Sequence, residues 1–95
     1  MFLVDMTFTD VSQITPELTE QHRNYLAKEY QSQNLLFGGR KEPRTGGILL
    51  SKHSNEATLK QVLDNDPFIK RGLVRYHITE FTPVMASTDY VHLLA

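Results

Sequence analysis

The chain has 95 residues, enough for one domain and too few for two. With 40% apolar residues, a mean hydropathy of −0.35 and a net charge of −1, it reads as a globular chain rather than a disordered or membrane one, and nothing in its charge indicates a nucleic-acid-binding face. It has no cysteine, which excludes disulfides, thiolate metal sites and a cysteine nucleophile.

The first ten residues, MFLVDMTFTD, carry no positive leader region and are interrupted by Asp5, so they read as a strand and not as a signal peptide. No apolar run approaches the ~20 residues of a membrane span, and a cytoplasmic protein is the expectation. Phe2, Val4, Met6 and Phe8 alternate with Leu3, Asp5 and Thr7, the period of two that predicts a strand. Thr15-Pro16-Glu17 then combines a hydroxyl cap, a proline at the first helical position and an acid in the first turn. The helix is expected to run to about Gln31, with Leu18, Tyr25, Leu26 and Tyr30 as its apolar stripe. Residues 34–51 predict a hairpin, in which Leu35-Leu36-Phe37 and Ile48-Leu49-Leu50 flank turn residues from Lys41 to Gly47. Arg40-Lys41 with Arg44 is taken as a solvated hairpin end. Ser54 or Asn55 caps a second helix ending at Asp64-Asn65, and Leu73 to Phe81 predicts a fourth strand.

The order β-α-β-β-α-β is the ferredoxin-like α+β arrangement, a four-stranded antiparallel sheet with both helices on one face. The other face of the sheet is not uniformly polar. In the fourth strand Val74, Tyr76 and Ile78 alternate with Leu73, Arg75, His77 and Phe81, and an apolar second face predicts burial against another copy, a homodimer. The core domain spans residues 2–83. The tail 84–95, with Tyr90, Val91, Leu93 and Leu94, is expected to be an added strand or a dimer arm.

Two residues stand out as carriers of chemistry. His22 lies four residues after Leu18 and four before Leu26, on the face that looks at the sheet. A half-buried imidazole there is suited to acid–base work, although spacing alone favours a core histidine satisfied by a backbone carbonyl. Asp66 precedes Pro67 in the stretch NDPFIKRG. The proline disfavours a helical backbone at Asp66, and its carboxylate is either a local helix cap or a side chain projected sideways. Together, a carboxylate and an imidazole over one sheet face make the orienting half of a triad, able to shuttle a proton without metal or cofactor.

Gly38-Gly39 inside a strand marks either a bulge or room for a small ligand, with Tyr25 and Phe37 as expected pocket walls. Of the other histidines, His53 is expected to be exposed at a turn, His92 lies in the tail, and His77 is placed on the dimer-facing surface. No histidine pair has metal-site spacing, and no phosphate loop, dinucleotide fingerprint or serine elbow is present.

The chain resembles the YciI-like family of YCII-related domains, small proteins with a dimeric α+β barrel fold. The resemblance covers roughly residues 2–83. It rests on the short first strand, the histidine in Leu18-Thr19-Glu20-Gln21-His22, the run Leu36-Phe37-Gly38-Gly39, and above all Asp66-Pro67-Phe68-Ile69-Lys70-Arg71-Gly72-Leu73. It implies a His–Asp active site at His22 and Asp66, and lyase-type chemistry on small ring compounds. Arg40 stands where the family often has a proline, and the tail beyond Val84 has no counterpart. The expectation is therefore a cofactor-free lyase or isomerase acting on a small, cyclic molecule. Its rivals are a non-catalytic small-molecule-binding module on the same scaffold, a cofactor-free monooxygenase-like or haem-handling barrel, and a purely structural interaction role.

Overall fold

The computed structural model describes residues 1–94 of the chain. Its strands are β1 (Phe2–Phe8), β2 (Leu35–Arg40), β3 (Gly46–Ser51) and β4 (Val74–Glu80), and its helices are α1 (Pro16–Gln31), α2 (Glu56–Asp64) and the single turn α3 (Pro67–Lys70). The strands form one antiparallel sheet in the order β2-β3-β1-β4, which is the ferredoxin-like arrangement. Among the described residues no helix is long and apolar enough to cross a membrane.

The local signals act where expected. Thr15 Oγ1 accepts the Leu18 amide at 3.1 Å and Pro16 opens α1, while Asn55 Oδ1 accepts the Thr58 amide at 2.8 Å to start α2. The alternation in β1 puts Phe2, Val4 and Met6 under the helices, where they meet Leu18 and Leu26 of α1, Leu59 and Leu63 of α2, and Phe68 of α3. On β4, Val74 is buried and Tyr76 and Ile78 pack against the same core.

Three expectations are corrected. Gly46 and Gly47 belong to β3 rather than the turn, because they pair with Thr7 and Met6 of β1, so closely that a Cβ on Gly46 would collide with the Met6 carbonyl. Among the described residues the tail forms no added strand, the first of its two expected forms: Thr88–Leu93 winds into a 3-10 helix with no buried residue, and Ala95 lies outside the described residues. His53 is buried, not exposed. Ser51 Oγ lies 2.5 Å from its Nδ1, the His53 amide donates to the same oxygen at 3.1 Å, and Glu29 of α1 approaches its Nε2 to 3.4 Å.

Register shows what the opposite sheet face carries. Phe37, Leu50, Leu3 and Thr79 form one row across the four strands, and Gly39, Ile48, Asp5 and His77 form the next. Phe37 is 60% exposed and Leu3 38%, so this face presents large apolar side chains to solvent.

Candidate active site

The site is built where α3 meets α1. Asp66 has an extended backbone, with φ −67° and ψ 136°, as the following proline demands, and its Oδ1 accepts the Phe68 amide at 2.8 Å to cap α3. The segment is fastened to the end of β1. Thr9 donates its amide to the Leu73 carbonyl at 2.9 Å and its hydroxyl to the Gly72 carbonyl at 2.8 Å. Gly72 adopts φ +70°, a left-handed turn that releases the chain into β4.

The second oxygen of Asp66 is free for a different partner. Oδ2 lies 2.5 Å from His22 Nδ1, across 44 residues of sequence. The Asp66 side chain is buried and His22 is 16% exposed at its side chain. A carboxylate only accepts, so Nδ1 carries the proton in this contact, and in the neutral ring Nε2 is then the bare nitrogen. Phe68 stacks on the imidazole with ring centroids 4.3 Å apart and planes 19° apart, and Phe8 meets Phe68 edge-on at 5.9 Å. The ring is therefore fixed by a hydrogen bond at one edge and an aromatic plane on one face.

His22 and Phe68 line a cavity of about 730 Å³, within the usual range for small-molecule sites. Met6, Leu26, Leu49 and Val74 supply apolar surface, Phe8 and Tyr30 supply aromatic rings, and Arg23, Arg40 and Arg44 are the cationic members. Burial pushes the Tyr30 phenol above its ordinary range, so its hydroxyl remains a neutral donor.

Of the pocket residues expected from sequence, Gly38 and Gly39 line this cavity, but Tyr25 and Phe37 do not. Tyr25 donates its hydroxyl to the Val62 carbonyl at 2.6 Å and so ties α1 to α2. Burial, followed by the nearby charges of Asp66 and Glu29, keeps that phenol protonated by raising its pKa. Phe37 is turned to the opposite sheet face by strand alternation. The glycines also have a packing reason. A Cβ on Gly38 would run into the Tyr30 hydroxyl and lie 2.5 Å from Leu49 Cδ2, so the missing side chain is what lets α1 sit over β2. The register irregularity of β2 falls earlier, between Leu35 and Phe37. His77, with Arg75, lies on the open face away from the cavity.

Sequence reasoning missed Phe8, Tyr30 and the three arginines. Phe8 continues the Phe2-Val4-Met6 face and Tyr30 follows His22 by eight residues on α1, so both were accessible from periodicity. Arg40 and Arg44 reach the cavity only because the hairpin folds beside α1. Among the described residues no group of three or more His, Asp or Glu side chains is close enough to hold a metal ion.

The family model for the YCII-related domain matches residues 2–82. The chain belongs to the YCII-related domain family. Comparison with curated protein sequences gives no match. Among solved structures, this family member is similar to 5-chloro-2-hydroxyhydroquinone dehydrochlorinase (TftG) from Burkholderia phenoliruptrix AC1100, determined in complex with 2,5-dihydroxybenzoquinone. The two share 22% identity and superpose with a TM-score of 0.71, over 85% of this chain and 92% of that one. At that identity the likeness establishes the common fold.

Proposed function

We propose that this YCII-related protein is an acid–base enzyme of the lyase or isomerase type, working on a small cyclic molecule without a cofactor. His22 Nε2 takes a proton from a ring carbon, and Asp66 holds the Nδ1 proton and steadies the imidazolium that forms. The C–H bond breaks and an N–H bond forms. The electron pair left behind either expels a leaving group from the adjacent carbon or is reprotonated by His22 at another position. The observation that carries this reading is the 2.5 Å contact of His22 Nδ1 with Asp66 Oδ2 at the wall of a cavity. TftG, by its name a dehydrochlorinase, lends the same fold to a reaction that removes a proton.

The working unit in this proposal is a homodimer joined through the open sheet face, with the exposed tail residues Met85 and Tyr90 available to a neighbour.

The test uses small non-aromatic ring compounds that carry an acidic C–H beside a leaving group. Asp66→Asn keeps the Oδ1 acceptor that caps α3, but its amide donates to Nδ1 and moves the imidazole proton to Nε2. Turnover is expected to fall roughly 100- to 10,000-fold in Asp66→Asn and in His22→Ala. Unchanged turnover in both variants would sink the dyad. Ligands that bind and are recovered unaltered would favour a binding module on the same scaffold.

A further inference from the structure

The cavity is electrostatically one-sided. Three arginines line it, and no carboxylate does, in a chain whose net charge is −1. Asp66 does not balance them, because it lies behind His22 with Oδ2 against the imidazole and Oδ1 on the Phe68 amide. The arginines are not equivalent. Arg40 pairs with Glu42 at 3.3 Å on the exposed hairpin. Among the described residues neither Arg23 nor Arg44 has a side-chain hydrogen bond or an ion pair. These two also border a second groove, shared with Thr19 and Glu20, so they stand at the junction where the cavity opens. Arg23 follows His22 on α1, and Arg44 comes from the hairpin between β2 and β3. Two unpartnered guanidiniums beside apolar and aromatic walls fit an oxyanion borne on a planar ring, since the guanidinium fork matches a carboxylate in geometry and charge.

We propose that the substrate of this site is a cyclic carboxylate, with Arg23 and Arg44 holding the carboxylate at the cavity mouth and the ring lying against Phe8 and Tyr30. The placement of a reacting ring carbon at His22 rests on the acid–base reading above; the anion site itself does not. Arg23 and Arg44 are substrate-binding residues that select an anionic ring over a neutral one. They missed recognition in the sequence because Arg44 reads there as part of a solvated turn.

Benzoate and its neutral isostere benzamide are the probes, titrated into the full chain with amide chemical shifts of the cavity residues as readout. Benzoate is expected to bind at least about tenfold more tightly than benzamide, and to weaken as salt is raised. The double variant Arg23→Gln/Arg44→Gln, changed at exposed positions only, is expected to lose roughly tenfold in benzoate affinity with an unaltered thermal midpoint. His22→Gln is expected to keep benzoate affinity while losing turnover of the ring substrates tested under the acid–base reading, so failure of that reading and failure of the anion site give different results. Equal binding of benzamide, full benzoate affinity in the double variant, or a benzoate titration that leaves the cavity shifts unmoved would each overturn the proposal.

Discussion

Asp66 shows how one side chain makes a local and a distant contact at once. Its two oxygens are divided, Oδ1 to the cap of α3 and Oδ2 to His22, so the choice between a local cap and a side chain projected toward another element is not a choice in the folded chain. Tyr76 offers a different residue-scale test. Its hydroxyl donates to Asp64 Oδ1 at 2.7 Å, and its pKa is pushed up from 10.0 to about 12 by burial first and then by the Asp64 hydrogen bond and charge. The raised pKa belongs to the folded state, so folding favours the neutral phenol. The stabilisation it contributes is complete below pH 10 and is lost as the pH rises through about 12. Denaturant unfolding followed across that window is expected to show falling stability in the parent chain and a shallower fall in Tyr76→Phe. An identical slope in both would show that Tyr76 carries none of this dependence.

At the scale of elements, the site depends on how closely strands and turns approach one another. β3 passes β1 at Gly46 with no room for a Cβ, since the obstacle is the Met6 backbone and not a side chain that can swing away. Gly46→Ala is therefore expected to destabilise the sheet by more than Gly72→Ala. At Gly72 a Cβ meets nothing within 4 Å, and the cost is the left-handed φ of +70° alone, about 1 kcal/mol. Urea midpoints of the two variants check the ranking, and a reversed order would contradict it. Periodicity and caps made β1, α1, α2 and β4 legible within a residue or two. They failed at His53, where the sequence shows a turn but Glu29, on a different element, approaches the ring and Ser51 engages it.

For the whole molecule, the decisive feature is a sheet covered on one face only. The row Phe37, Leu50, Leu3 leaves apolar surface exposed in a single chain, and a second copy is the proposed cover. Phe37 does not line the cavity, so Phe37→Glu separates assembly from ligand binding. Light scattering on a sizing column is expected to give a dimer for the parent chain and a monomer for Phe37→Glu. A monomeric parent chain, or a variant that stays dimeric, would rule out this face as the interface.

The amino-acid sequence by itself determined the order of elements, their caps, the helix stripe carrying His22 and the extended backbone at Asp66, because each of these follows from interactions within a few residues. The run from Asp66 to Leu73 likewise carries the family resemblance in its local sequence. Only the tertiary structure decided that His22 and Asp66 meet at 2.5 Å across 44 residues, that Tyr25 braces α2 instead of lining the cavity, and that Arg23 and Arg44 both line it. Those are contacts between elements distant in sequence. Their geometry is set by how helices seat on the sheet, which no local pattern encodes.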